Sequence, residues 1–161
     1  LGWVSLLEQR LREQGYDDKV VNASISGDTS AGGLARLPAL LVEHKPDVVI
    51  VELGGNDGLR GQLPAQLKQN LAGMIDASQQ AGAKVLLLGM QLPPNYGARY
   101  TQAFAAVYAE LGKEKNVALV PFFLEGVGGK TELMQADRIH PAVGAQGLLL
   151  DNVWPALKPL L

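Results

Sequence analysis

The sequence contains no cysteine among its 161 residues, and this absence excludes disulfides, thiolate metal sites and thiol nucleophiles. Only two histidines are present, His44 and His140, and they are far apart in the chain. A site built from several histidines is therefore not expected, and we predict neither a metal nor a cofactor. No segment approaches the roughly 20 consecutive apolar residues of a membrane helix, so we expect no stable membrane insertion.

The sequence also has no excess of basic residues: it contains 14 basic and 16 acidic residues, and its formal net charge is −2. Such a chain has no field that attracts a phosphate backbone, so nucleic acid is not expected as a partner. Length and apolar content are those of one globular domain over residues 1–161. Glycine is abundant, since 19 glycines exceed the usual ~7% of a chain and indicate tight loops.

The spacing of apolar residues predicts an opening helix through Trp3, Leu7 and Leu11, followed by four strand–helix units. Pro38 is expected in the first turn of the second helix. The alternation of strands and helices predicts a three-layer α/β/α domain, a doubly wound parallel sheet of the flavodoxin-like type. The predicted strands are residues 19–25, 47–53, 84–90 and 116–122.

In such sheets, ligands bind beyond the carboxyl ends of the strands. We therefore expect the polar loops that leave the strands to share one rim. The long connection near residues 123–141 contributes to it, because a loop of that length is more often functional than a spacer. The expected rim loops are residues 26–33, 54–58, 91–97 and 137–140.

Several rim residues suit acyl-transfer chemistry. Asp137 precedes His140 by three residues, so the carboxylate could orient the imidazole as a general base, or it could simply cap a turn. Asn56 follows a buried strand, where its amide could donate to an oxyanion or merely form a turn. Gly27 could present its backbone N–H to the same rim, next to a helix N-terminus.

Taken together, four segments resemble the SGNH, or GDSL-type, serine hydrolase family, and more closely its bacterial thioesterase I/arylesterase/lysophospholipase branch. The segments are residues 22–30 (NASISGDTS), 51–61 (VELGGNDGLRG), 92–97 (LPPNYG) and 137–141 (DRIHP). By this resemblance Gly27 and Asn56 are oxyanion donors, His140 is the general base and Asp137 orients it. Leu92 and Pro93 would line an acyl-chain groove.

The first motif of that family, a strand that ends in Gly-Asp-Ser-Leu with the nucleophilic serine, has no counterpart here. Residues 27–30 (GDTS) lie in the second motif instead, so we do not assign Ser30 as the nucleophile; Ser26 remains an alternative. We expect an N-terminally truncated domain, whose nucleophile lies upstream of Leu1. In flavodoxin-like order the first strand lies inside the sheet, so its absence should leave a slot between strands.

The resemblance implies hydrolysis of acyl esters or acyl thioesters, such as acyl-CoA, lysophospholipids or aryl esters, through an acyl-enzyme. The expected partner is this small-molecule substrate, the expected state a monomer, and the expected location periplasmic or secreted. Two alternatives remain open. One is a flavodoxin-like module that binds FMN or another nucleotide in the loop 24–29. The other is a catalytically inactive relative that binds acyl or glycan ligands.

Overall fold

The structure, a computed structural model, describes residues 2–128, 130, 133–134 and 141–161. Its sheet contains three parallel strands in the order β1 (Val48–Val51), β2 (Lys84–Leu88) and β3 (Ala118–Val120). In this register Val49 lies opposite Val85, and Leu87 lies opposite Leu119. Three of the four predicted strands are confirmed, each within its predicted bounds.

Helices connect and cover these strands. None of the helices within the described ranges is long and apolar enough to cross a membrane. Short 3-10 turns lie at Pro94–Tyr96, Val143–Ala145 and Lys158–Leu160. The α-helices are α1 (Trp3–Glu13), α2 (Ser30–His44), α3 (Gly55–Leu59), α4 (Pro64–Gln80), α5 (Ala98–Glu114) and α6 (Gln146–Leu157).

The side chains of β2 alternate between two hydrophobic cores, as successive residues of a strand must. Leu86 and Leu88 pack with α1 and α6 on one face of the sheet. Val85 and Leu87 pack with α2, α4 and α5 on the other face. All four side chains are at most 3% exposed, so β2 is covered on both faces. The predicted three-layer α/β/α arrangement is confirmed.

The position of Pro38 differs from the prediction. It lies inside α2 and not in the first turn, because α2 begins at Ser30. Polar groups fix this early start: the Thr29 side chain accepts from the N–H of Gly32 at 3.4 Å, and Asp57 accepts from the N–H of Ser30. Proline has no N–H, so the helix gives up one internal hydrogen bond at this position.

The predicted strand at residues 19–25 is wrong, because this segment has no regular secondary structure. A strand needs a hydrogen-bonded neighbour, and no described strand pairs with this segment. Its polar side chains bond locally instead, since Asn22 Oδ1 accepts from the N–H of Ser24 at 3.1 Å. Val21 and Ile25 remain exposed as a result.

A cavity of about 670 Å³ separates this irregular segment from β1. Side chains from α1 and α2, including Leu7, Leu37 and Leu41, form its apolar walls. Residues 17–25 and 46–53 line its two long sides. The expected slot in the sheet is therefore present, beside the outer edge of β1.

Candidate active site

A second cavity, of about 220 Å³, lies where the chain leaves the sheet. It brings together loops that follow β1, β2 and β3 and the turn that precedes α2. The expected meeting of the loops 26–33 and 54–58 at one rim is confirmed. The cavity is lined by Ser24, Ile25, Ser26, Gly27, Asp28, Glu52, Leu53, Gly54, Gly55, Asn56, Met90, Phe123, Leu124 and Pro141.

Gly27 lies in a tight turn in which the N–H of Asp28 donates to the carbonyl of Ile25 at 3.1 Å. The φ of Gly27 is +77°, as at the third position of a type II turn, where glycine is favoured. The N–H of Gly27 makes no hydrogen bond to another described residue. It can therefore donate to a ligand in the cavity.

Arg36 of α2 holds this turn from behind. Its Nε and Nη2 donate to Oδ2 of Asp28 at 3.1 and 2.6 Å, and its Nη1 donates to the carbonyl of Ala23 at 2.9 Å. A guanidinium that bonds a carboxylate and a carbonyl at once restricts both position and orientation. The backbone on either side of Gly27 is thus tied to one side chain.

Asn56 lies in the first turn of α3, and the sequence prediction of a plain turn at residues 54–58 is replaced by this short helix. Gly54 makes the change of direction with a φ of +124°. A Cβ on Gly54 would lie 1.8 Å from the hydroxyl oxygen of Tyr108, so only glycine fits. The side-chain amide of Asn56 is half-buried and forms no hydrogen bond to another described group, so it can donate into the cavity.

Ser30 cannot reach this cavity. Its side chain is fully buried, and its hydroxyl donates to Oδ2 of Asp57 at 2.6 Å. The amide of Asn70 in turn donates to the Ser30 hydroxyl at 3.1 Å. This buried polar group has no signature in the sequence, because its members come from three helices and are up to 40 residues apart.

Asp137 and His140 lie outside the described residues, so their roles stay predictions. The chain beside them is anchored: Pro141 forms a bridge with Met134, and the N–H of Ala142 donates to the carbonyl of Leu133 at 2.8 Å. Pro141 lines the same cavity as Gly27. In the described part of the chain, no group of three His, Asp or Glu side chains is placed to hold a metal ion.

The predicted acyl-groove residues do not line this cavity. Leu92 is 7% exposed and packs under α3, where a Cβ on Gly58 would lie 2.5 Å from its Cδ2. Pro93 is half-buried beside it. The apolar wall of the cavity is formed instead by Met90, Phe123 and Leu124. In the sequence, Met90 is the last residue of one predicted strand, and Phe123 and Leu124 come directly after another.

Comparisons with known proteins identify the family. Residues 1–145 match the GDSL-like lipase/acylhydrolase family. The chain belongs to this family. It is 68% identical over 160 residues to esterase TesA of Pseudomonas aeruginosa, covering 99% of this chain and 80% of that protein. It is 50% identical over 159 residues to thioesterase 1/protease 1/lysophospholipase L1 of Escherichia coli strain K12, covering 99% and 75%.

The fold of this GDSL-type chain agrees with its sequence relatives. A crystal structure of TesA superposes with a TM-score of 0.96 at 68% identity, covering 99% of this chain and 89% of the other. The predicted family and fold are confirmed. The predicted enzyme class is confirmed with them: the protein is a carboxylic ester hydrolase of the GDSL type.

Proposed function

We propose that the protein hydrolyses acyl esters and acyl thioesters through an acyl-enzyme, with Gly27 and Asn56 as oxyanion donors. The observation that carries the proposal is that both residues line one cavity at the carboxyl end of the sheet. The N–H of Gly27 and the amide of Asn56 are not used by other described groups. Two fixed donors of this kind stabilise the charge that develops on the carbonyl oxygen during attack.

His140 acts as the general base in this proposal, and Asp137 orients it. Support comes from the neighbouring residue, because Pro141 lines the cavity that contains Gly27 and Asn56. The bridge between Pro141 and Met134 ties this part of the chain to the fold. His140 directly precedes Pro141 in the sequence, and this supports its assignment as the base for a reacting group in the cavity.

The nucleophile is a serine on a strand that precedes Leu1 and fills the cavity of about 670 Å³. Among the described strands, β1 pairs only with β2, so its other edge is available to such a strand. A parallel strand in this slot would end at the same edge of the sheet as β1. Its last residue would then lie beside Gly27 and Asn56, where the attacking oxygen is needed.

The reaction follows from these positions. The serine oxygen attacks the acyl carbon while its proton passes to His140. The bond to the alcohol or thiol then breaks, and His140 returns the proton to the leaving group. Water then attacks the acyl-enzyme while its proton passes to His140. The bond to the serine oxygen breaks, His140 returns the proton to that oxygen, and the carboxylic acid is released.

The cavity also bears on the substrate. Met90, Phe123 and Leu124 form an apolar wall of the cavity, which suits the acyl chain of an ester. The leaving group of an acyl-enzyme reaction can be an alcohol or a thiol, so aryl esters, lysophospholipids and acyl-CoA are candidate substrates.

We further propose that the protein is a monomer located in the periplasm or secreted. Sedimentation analysis of the purified protein tests the first statement. Fractionation of the native host with an antibody tests the second.

Labelling of the full-length protein with a fluorophosphonate tests the catalytic proposal, because this probe reacts with activated serines. We expect one labelled serine, N-terminal to Leu1 by peptide mapping, and loss of the label in His140→Ala. A folded protein that takes no label would be an inactive, ligand-binding relative. The family match does not support the flavodoxin-like alternative. Esterase activity in purified protein that contains no FMN would exclude that alternative.

A further inference from the structure

Three buried polar side chains form a hydrogen-bonded chain behind the candidate active site. Asn70 Nδ2 of α4 donates to the hydroxyl of Ser30 at 3.1 Å, and that hydroxyl donates to Oδ2 of Asp57 at 2.6 Å. The backbone N–H of Ser30 donates to Oδ1 of Asp57 at 2.8 Å. Asp57, Ser30 and Asn70 are 1%, 0% and 6% exposed, so water does not compete for these bonds.

The two hydrogen bonds between Ser30 and Asp57, here called the link, join the two segments that carry the proposed oxyanion donors. Asp57 directly follows Asn56, and Ser30 follows Gly27 by three residues. We infer that Asp57 and Ser30 are positioning residues that fix the separation between the Asn56 amide and the Gly27 N–H. This inference rests on the oxyanion roles proposed above, and it adds a second pair of residues that act through them.

The geometry of the link suits this task. Both oxygens of the Asp57 carboxylate bond to the same residue, one to its N–H and one to its hydroxyl. Two bonds to one partner fix the angle between α2 and α3 as well as their distance, and bonds to a charged acceptor are the stronger kind. The negative charge also lies at the N-terminus of the 15-residue helix α2, where the helix dipole favours it.

A displaced oxyanion donor weakens binding of the transition state more than binding of the substrate. The oxyanion forms only in the transition state, so a shift of Gly27 relative to Asn56 weakens transition-state binding more than substrate binding. Misplacement by about 1 Å can cost about 100-fold in rate. Loss of the link should therefore lower kcat with little effect on KM.

Ser30→Ala tests the inference in the full-length enzyme, with hydrolysis of p-nitrophenyl butyrate as the assay. Ser78→Ala is the matched control: Ser78 is also 0% exposed, and its hydroxyl donates to the Met74 carbonyl within α4, away from both loops. We expect Ser30→Ala to lower kcat by about 10- to 100-fold with KM changed less than about threefold. Ser78→Ala should keep kcat, although thermal denaturation should show that both variants lose stability.

A double-mutant cycle with Asn56→Ala separates positioning from general damage. If Ser30 acts through the oxyanion donors, Ser30→Ala should cost much less kcat in the Asn56→Ala background than in the wild type. Full additivity, unchanged kcat in Ser30→Ala, or an equal loss in Ser78→Ala would each overturn the inference. Unchanged kcat in Asn56→Ala would instead overturn the oxyanion assignment on which it rests.

Asp57→Asn tests the inference if Ser30→Ala does not fold. It keeps the size of the side chain but replaces one of the two carboxylate oxygens that accept from Ser30 with an NH2 group, which cannot accept a hydrogen bond. We expect kcat to fall by about 3- to 10-fold at nearly constant KM. A folded Asp57→Asn enzyme with wild-type kcat would overturn the inference.

Discussion

The hydroxyl of Tyr108 donates a 2.7 Å hydrogen bond to the carbonyl of Leu53, the residue just before Gly54. Tyr108 belongs to α5 and is 1% exposed, with its ring edge-on to Phe104 at 5.9 Å between centroids. The chain changes direction at Gly54 and presents Asn56 two residues later. A residue of the core thus holds the loop that carries a proposed oxyanion donor.

Gly54→Ala should unfold the loop and abolish activity. The positive φ of Gly54 costs alanine about 1 kcal/mol, and the new Cβ would displace the Tyr108 hydroxyl, with a further loss of about 1–3 kcal/mol for the broken buried hydrogen bond. Gly61→Ala is the control, because Gly61 has a φ of +66° but open space around its Cβ position. Urea denaturation should rank Gly54→Ala well below Gly61→Ala; equal stabilities would contradict the steric account.

Stability should decrease above about pH 10. Burial, with a smaller contribution from the Asp57 carboxylate, raises the pKa of Tyr108 far above its usual value, whereas the unfolded tyrosine ionises near pH 10. Above that pH the unfolded state binds fewer protons than the native state, so the free energy of unfolding falls as pH rises. Tyr108 should contribute a slope of about 1.4 kcal/mol per pH unit well above pH 10, and Tyr100, whose pKa is also raised by burial, should add to it.

Urea denaturation at pH 9, 10 and 11 measures this slope. Tyr108→Phe should be less stable at pH 9, because the Leu53 carbonyl loses its donor, but should show a reduced slope. An unchanged slope in Tyr108→Phe would show that another group controls the alkaline transition.

Asn56→Ala should lower kcat by about 10²–10³, the usual cost of one oxyanion donor. The reason is that its side-chain amide, which no other described group uses, is lost while the α3 backbone keeps its place. Asn95→Ala, in the exposed turn after β2, should leave kcat unchanged. Steady-state kinetics with an aryl ester checks both, and wild-type turnover in Asn56→Ala would remove Asn56 from the mechanism.

The sequence predicted those elements whose residues decide their structure locally. The apolar runs of β1 and β2 were sufficient to predict these strands, and the spacing of Trp3, Leu7 and Leu11 was sufficient to predict α1. Residues 19–25 have similar β-propensity but pair with none of the described strands, and propensity alone does not form a strand. Which segments pair is a property of the whole sheet.

In the candidate site too, some features could be predicted from the sequence and others could not. Gly27 and Asn56 could be found because each follows a predicted strand or precedes a helix, and such loops meet at one edge of a parallel sheet. The bond between Ser30 and Asp57 could not be found, since it joins residues 27 positions apart through the packing of α2 on α3. The burial of Leu92 could not be predicted either, because an apolar loop residue can point into the core as well as onto the rim.

His140→Ala should reduce kcat by at least about 10⁴, because no other group would then take the proton of the attacking serine. His44→Ala is the natural control, since His44 is the other histidine and lies at the exposed end of α2 near Glu43. It should retain wild-type kinetics. Comparable activity in the two variants would refute the role of His140 as base.

Ser26→Ala should retain activity within about threefold. Ser26 is exposed and lines the cavity beside Gly27, so it is the described serine that could most readily replace the missing nucleophile. It lies before α2 and not at the end of a strand in the sheet, however, and no described side chain hydrogen-bonds to its hydroxyl to activate it. Ser24→Ala, with another exposed serine of this cavity, serves as the control. Loss of both turnover and fluorophosphonate labelling in Ser26→Ala alone would make Ser26 the nucleophile and remove the need for a serine on the strand beside β1.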